Sequence, residues 1–381
     1  FWELRFPDCP CCGGKLKDDP VLEPKKLQQV ELIGIPTRVE EYHRVGQRCT
    51  QCDKIHFVPW PEDLAKAGLV GLRLTAFVGF LKGACHMSFS SIRKFLRDVV
   101  KVRISHGQLR KLIAKVSGSL ADPYEELLRL LPHEDHLHVD ETGHKDNGKR
   151  MWTWCFRAAM FTLFKISPSR GSEVLFEVLG QEFSGTIGCD YFSAYRKYMR
   201  LNDNVLVQFC LAHLIRDVKF LVGHPNSKNR AYGRRVLAAL KSLFDVIHRR
   251  EEMTEAGFAR RLQSVAKELE HQATYRVPPV KESQNLAERF RQHGESYLRF
   301  ITTPGIEPTN NLAEQAIRFV VIDRKITQGS RSESGQTWLE RIWTVTSTCA
   351  QTGRSAFEFI TDAVIANFTS QPAPSLLHDT S

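Results

Sequence analysis

Apolar residues recur at helical spacing between positions 61 and 131. Leu72, Ala76, Phe77 and Phe80 mark one face. After Ser88 and Ser90, a second periodic run puts Ile92, Phe95, Leu96 and Val99 together. Ser105 and Gln108 have capping-box spacing, and Leu109, Leu112, Ile113 and Val116 continue the stripe. Two such helices around a short link at 100–104 have the spacing of a helix-turn-helix, although a plain helical hairpin in a bundle reads the same way. Pro132 closes this part. From His136 the runs shorten and fill with Val, Phe, Trp and Thr: 137–141, 151–159 and 161–166 predict strands, with a hairpin turn at Asp146-Asn147-Gly148. Residues 172–179 fit one helix, and 186–190 and 205–210 two more strands. Helical spacing returns over 212–303, where Val236, Leu240, Leu243, Phe244 and Ile247 share a face. A last amphipathic helix, Ala356–Phe368, precedes a polar, Pro-containing tail expected to be disordered.

Three meandering strands, a helix and a further strand are the opening of a ribonuclease-H-like α/β fold. The expected organisation is a zinc-binding module at 1–60, a helical DNA-binding domain at 61–132, and a catalytic domain at 133–345 with a helical insertion at about 214–303. A C-terminal helix and tail follow at 346–381.

Charge adds a partner to this picture. The 381 residues carry 53 Lys and Arg against 43 Asp and Glu, a net +10, which favours a polyanion such as nucleic acid. The basic residues cluster. Arg110, Lys111 and Lys115, with His106, lie outward on the second helix of the pair. Seven Lys and Arg, Arg234 and Arg235 among them, crowd 228–250 against the single acid Asp245. Arg318, Arg324, Lys325 and Arg331 follow later. Ten cysteines are too sparse for a disulfide scaffold, so reduced thiols and a cytosolic location are expected. The longest apolar stretch, 67–85, is interrupted by Arg73 and Lys82 and reads as a buried helix, with no membrane partner expected. The chain opens at Phe1 without an initiator Met, as a fragment of a longer protein would.

Two chemistries stand out. Cys9-x-x-Cys12 and Cys49-x-x-Cys52 present paired thiolates suited to one tetrahedral, structural Zn²⁺, with Cys11 as a spare ligand. Asp140 ends the first predicted strand, Asp190 ends the fourth, and Glu314 sits in the first turn of a later helix. Neighbouring strand ends would bring the two aspartates side by side, with Glu314 above them. Such a cluster repels itself unless a cation such as Mg²⁺ or Mn²⁺ occupies it. Duller roles exist for each: turn capping for Asp140 and Asp190, and a capping box from Asn311 for Glu314, with Glu307 as the substitute carboxylate.

The chain resembles the insertion-sequence-66 class of bacterial DDE transposases. The matching stretches are His138-Val-Asp-Glu-Thr-Gly143, Cys189-Asp-Tyr-Phe-Ser-Ala-Tyr195, Cys210-Leu-Ala-His213 and Asn310-Asn-Leu-Ala-Glu-Gln-Ala-Ile-Arg318. Arg324-Lys325, the Gly/Ser loop at 329–335 and the two Cys pairs continue the likeness, in order, over nearly the whole chain. The resemblance implies a catalytic triad of Asp140, Asp190 and Glu314, cleavage at the 3′ ends of a mobile element, and strand transfer into target DNA. It also implies paired element ends and hence a homo-oligomer, with accessory transposition proteins and a nucleoid-associated bacterial setting. Where the family often has Glu-Arg, this chain has Glu314-Gln315. For Cys210-x-x-His213 a packing or helix-start role is expected, with a ligand or phosphate-contact role as the alternative. A nuclease without strand transfer and an inactive zinc-containing DNA-binding protein are the rival functions.

Overall fold

The computed structural model describes residues 7–17 and 36–377. The rest of the expected module at 1–60 (residues 1–6 and 18–35) and the end of the expected tail (378–381) lie outside the described residues. A two-residue antiparallel ladder, β1 (Gln47–Arg48) and β2 (Ile55–His56), flanks the second Cys pair. Five helices follow: α1 (Glu62–Ala67), α2 (Leu72–Gly83), α3 (Phe89–Phe95), α4 (His106–Ser119) and α5 (Ala121–Leu130). The serines begin their helices as the sequence suggests. Ser88 Oγ accepts from Ser91 N–H at 3.0 Å and Ser105 Oγ from Gln108 N–H at 3.1 Å. One expectation fails here. Val99 is 43% exposed and Val100 is buried, because Leu96–Val100 forms a π turn. A π turn holds more residues than an α turn, so the apolar face slips by one position. The window Glu62–Gly83, with mean hydropathy 1.6, is the one stretch among the described residues long and apolar enough to cross a membrane. It breaks at Gly68–Gly71, and α2 packs against α4 and against α14 (Ala356–Phe368).

The sheet begins with the long strand β3 (His136–Asp146). It turns through Asn147 and Gly148, both at positive φ, into β4 (Lys149–Arg157), the backbone a two-residue hairpin demands. β5 (Thr162–Ser167) completes an antiparallel meander. Helix α6 (Glu173–Leu179) leads to β6 (Thr186–Cys189), and α7 (Ser193–Leu201) leads to β7 (Leu206–Phe209). Both late strands run parallel to β3 on its other side, giving the order β5-β4-β3-β6-β7. Helical segments α8 (Leu211–Val222), α9 (Ser227–His248), α10 (Glu255–Thr274) and α11 (Lys281–Thr302) follow, and α11 returns to pack on β7. Helix α12 (Asn311–Thr327) then lies against β3 and β4, and α13 (Glu333–Gln351) lies along β5.

Helix α13 seals an open sheet edge. The N–H groups of Thr162, Phe164 and Ile166 on β5 donate to Thr348 Oγ1 (3.2 Å), Thr344 Oγ1 (3.0 Å) and Glu340 Oε1 (2.7 Å). The acceptors are spaced four apart, one per helical turn, so a single face of α13 serves alternate residues of β5. Tyr124 Oη completes the edge by donating to the Phe164 carbonyl. α13 also runs unbroken across position 345, where a domain boundary was expected. The tail expectation needs correction up to residue 377. Leu376 is fully buried, Arg354 Nη1 donates to the carbonyls of Ser375 and Leu376, and Ser375 Oγ donates to Glu126. The apolar Leu376 and Leu377 inside a polar stretch supply the anchor.

Thr344→Val keeps the shape of the side chain but strands a buried Phe164 N–H. The substitution should lower unfolding free energy by about 1–3 kcal/mol. A loss below about 0.5 kcal/mol in denaturant titration would mean that water or another group replaces the threonine.

Candidate active site

On β3 the side chains alternate. Leu137 and Val139 face the core, fully buried, while His136, His138 and Asp140 face the other way. The last paired residues of β3 and β6 are His138 and Gly188. Asp140 and Asp190 each lie two residues further on, so the register sets them level on adjacent strands. Asp190 follows the end of β6, whereas Asp140 lies within β3, which stays paired with β4 as far as Asp146 and so corrects the expectation that Asp140 ends its strand. Asp190 Oδ1 accepts from Phe192 N–H at 2.8 Å, which bends the chain out of the sheet into α7. The turn-forming role weighed for Asp190 is therefore real, and it leaves Oδ2 free of that bond. Asp140 Oδ1 accepts from Glu141 N–H at 2.9 Å.

Glu314 is brought over this end by Asn310, whose side chain is buried. Asn310 Nδ2 donates to Val139 O (2.8 Å), Oδ1 accepts from His138 Nδ1 (3.1 Å), and the backbone N–H donates to Cys210 Sγ (3.2 Å). The start of α12 is thus tied to β3 one residue before Asp140. The far end of α12 is tied down as well. Ser330 N–H donates to Lys145 O, and Asn147 N–H donates to Ser330 O, both at 2.9 Å. At Gly329 (φ +89°) a Cβ would collide with the Lys145 carbonyl, so only glycine fits. The capping box weighed for Glu314 does not form: no side chain caps α12. Glu307 is exposed.

Burial is the first cause that pushes the Asp140 carboxyl up to about 7, and the charges of Glu141, Asp190 and Glu314 all add to it. The three expected carboxylates therefore share one electrostatic neighbourhood. Burial also lowers His138, which stays neutral as a donor to Asn310. Several partners were not expected from sequence. Glu141 is buried, paired to Arg170 through Nε (2.9 Å) and Nη2 (2.7 Å), and it accepts from Tyr195 Oη. Arg170 in turn stacks on Phe192, 4.0 Å from the ring centre, and on Trp152. Beside these residues opens a cleft of about 710 Å³ lined by Arg170, Phe192, Arg196, Lys197, Arg200 and His293, among others. The Cys210-x-x-His213 pair meets Glu314 directly, with His213 Nδ1 at 3.4 Å from Glu314 Oε1.

The basic residues divide. Arg110, Lys111, Arg234, Arg318 and Lys325 are exposed. Arg324 is half-buried and donates to Thr142 on the Asp140 face of β3. Lys115 and Arg235 are corrections, because both are engaged inside the chain. Lys115 Nζ donates to the last carbonyls of α1 and lies over Phe368. Arg235 Nη2 donates to Tyr275 O at 2.6 Å. In each case a helix end left carbonyls without partners, and the nearest cation took them.

The two Cys pairs adopt the same knuckle. Cys9 N–H donates to Gly14 O and Gly13 N–H to Cys9 O; Cys49 N–H donates to Lys54 O and Asp53 N–H to Cys49 O. Gly13 and Asp53, at the same place in each turn, both have positive φ. Backbone N–H groups aimed at Cys9 and at Cys49 lower both thiols. Among the described residues the knuckles do not bring three sulfurs within 4.8 Å; the trio that meets that distance is Cys210, His213 and Glu314.

The profile of the family described as "Transposase IS66 family" matches residues 67–337. The uncharacterized protein y4qI of Sinorhizobium fredii (strain NBRC 101917 / NGR234) is 24% identical over 349 residues, covering 83% of this chain. The chain spans 63% of that relative's length.

Asp140 also gives the fold a pH signature. Its folded value lies above the ordinary carboxylate value, so ionisation costs stability as pH rises toward about 7, and the whole cost is present above it. The melting temperature of the chelated chain should fall between about pH 4 and about pH 7, and Asp140→Asn should flatten part of that slope. Mg²⁺ should restore the alkaline loss in wild type and not in Asp140→Asn. A slope indifferent to the substitution would show Asp140 ionising like an ordinary surface carboxylate.

Proposed function

The chain belongs to the IS66 transposase family, and from that premise we propose that it is a metal-dependent DNA transposase with a ribonuclease-H-like core. Its catalytic residues are Asp140, Asp190 and Glu314. The observation that carries the reading is the level placement of Asp140, within β3, and Asp190, just past the end of the adjacent β6, with Glu314 adding to the charge that raises Asp140. The sheet order, an antiparallel meander continued by two parallel strands, supports the core assignment.

Three carboxylates with raised mutual repulsion are a donor set for hard cations, and Asp140, Asp190 and Glu314 would hold Mg²⁺ or Mn²⁺. When bound, such ions supply charge neutralisation at the scissile phosphate and an activated attacking oxygen. The chain's own residues do the rest. Asn310 holds Glu314 against β3. Arg318 and Lys325 on α12, with Arg110, Lys111 and Arg234 elsewhere, attract the phosphate backbone, so binding weakens steeply with added salt. Hydrolysis at the element end frees a 3′-hydroxyl that attacks target DNA by in-line displacement. Pairing two ends calls for a homo-oligomer, with accessory proteins where the chain alone does not suffice, in a bacterial cytoplasm. The matched knuckles support one structural Zn²⁺ held by Cys9, Cys12, Cys49 and Cys52, which requires the two turns to close on a common ion.

Asp140→Ala, Asp190→Ala and Glu314→Gln should each lower Mg²⁺-dependent nicking of end-containing DNA by at least about 100-fold while leaving retention of labelled DNA within about threefold. A variant that nicks at the wild-type rate removes its residue from the triad. Nicking without joined products favours the nuclease, and binding without nicking by wild type favours the inactive DNA-binding protein. Metal analysis of freshly purified protein should find about one tightly held zinc per chain, lost in Cys49→Ser. Zinc-free protein of unchanged stability would exclude the zinc module.

A further inference from the structure

The junction of β7 with α8 and the first turn of α12 holds a second donor set, different in kind from the aspartate pair. Cys210 Sγ, a His213 ring nitrogen and a Glu314 oxygen lie mutually within 4.8 Å. Cys210 and His213, three apart at the start of α8, fall on one side of the helix. Cys210 is a buried free thiol. His213 Nδ1 is a buried nitrogen with no hydrogen-bond partner, facing Glu314 Oε1 at 3.4 Å. A tetrahedral zinc ion with bonds of about 2.0–2.3 Å keeps its donors roughly 3.3–3.8 Å apart, so only small side-chain rotations are needed. The His213 and Glu314 side chains are 21% and 33% exposed, which leaves an approach and a fourth position open to solvent.

We propose that Cys210, His213 and Glu314 form a binding site for a thiophilic divalent cation of the Zn²⁺ class, sharing Glu314 with the hard-cation site of Asp140 and Asp190. Sulfur and imidazole nitrogen select such an ion over Mg²⁺, which prefers oxygen. Burial raises the Cys210 thiol, and the backbone N–H groups of Asn310, His213 and Ala212 aimed at its sulfur work the other way. Two helix N-termini contribute about +0.5 charge each, against two full negative charges from thiolate and carboxylate. On binding, Cys210 loses its proton to solvent and its sulfur bonds the metal; no electron is transferred. An ion held here draws Glu314 away from the aspartates, so the site acts as a zinc brake on DNA cleavage. The site itself stands on the trio's geometry, whereas the brake rests on Glu314 belonging to the triad.

Wild-type full-length chain, Cys210→Ser and His213→Gln are stripped with chelator and titrated with Co²⁺. Serine keeps an acceptor for the Asn310 N–H, and melting temperature checks the fold of each variant. All three proteins should show sulfur-to-cobalt absorption from the N-terminal knuckles. Wild type should take one further equivalent, absent from Cys210→Ser and spectrally altered in His213→Gln. Equal stoichiometry and identical spectra in three folded proteins would overturn the site and leave the trio as packing around Glu314. Micromolar Zn²⁺ added to a Mg²⁺ nicking reaction should inhibit wild type at least about 10-fold more than Cys210→Ser; equal inhibition overturns the brake. A chain that binds the extra Co²⁺ without ever nicking keeps the site and loses the transposase reading; one that nicks without the extra equivalent does the opposite.

Discussion

The buried amide of Asn310 is the joint on which the rest of the site depends. It satisfies a strand carbonyl, a neutral histidine and, through the backbone, a cysteine sulfur. Elements far apart in sequence meet there: β3, the start of α8 and the start of α12. A buried amide with missing partners is costly, and one with all of them filled is rigid. That rigidity is what keeps a helix-borne carboxylate near a strand-borne one against their repulsion. The clamp of Gly329 and Ser330 on the β3–β4 hairpin fixes the other end of α12, so the helix cannot swing Glu314 aside as a rigid lever.

The site stores electrostatic cost that the core offsets. Asp140 and Glu141 are neighbours in sequence, and burial raises both. They are handled differently. Glu141 receives Arg170 and Tyr195, a complete set of partners, and becomes a structural ion pair. Asp140 receives only a backbone N–H. An unpaired buried carboxylate beside two others is the arrangement expected where charge is reserved for a ligand.

Much of this was legible in the chain. Element order restricts sheet order, so Asp140 and Asp190 could be set on neighbouring strands without coordinates, although β3 continues past Asp140 to Asp146. Serine caps and the Asn147-Gly148 turn carry their geometry in residue type. Other features had no local signal. Val99 and Val100 exchange roles through a π turn that periodicity does not reveal. Lys115 and Arg235 look like any outward cations until the helix ends they serve are known. Asn310 carries no local signal of its role, because its partners lie about 100 and 170 positions away, at Cys210, His138 and Val139. The pairing of Glu141 with Arg170 was hidden for the same reason.

The row of α13 acceptors along β5 has a consequence for assembly. An uncovered strand invites a second copy to continue the sheet, and aggregation often starts at such a border. Here the border is already spoken for: alternate amides of β5 are occupied by Glu340, Thr344 and Thr348. A second copy of this chain therefore cannot join by extending β5, and any assembly of copies must use other surfaces.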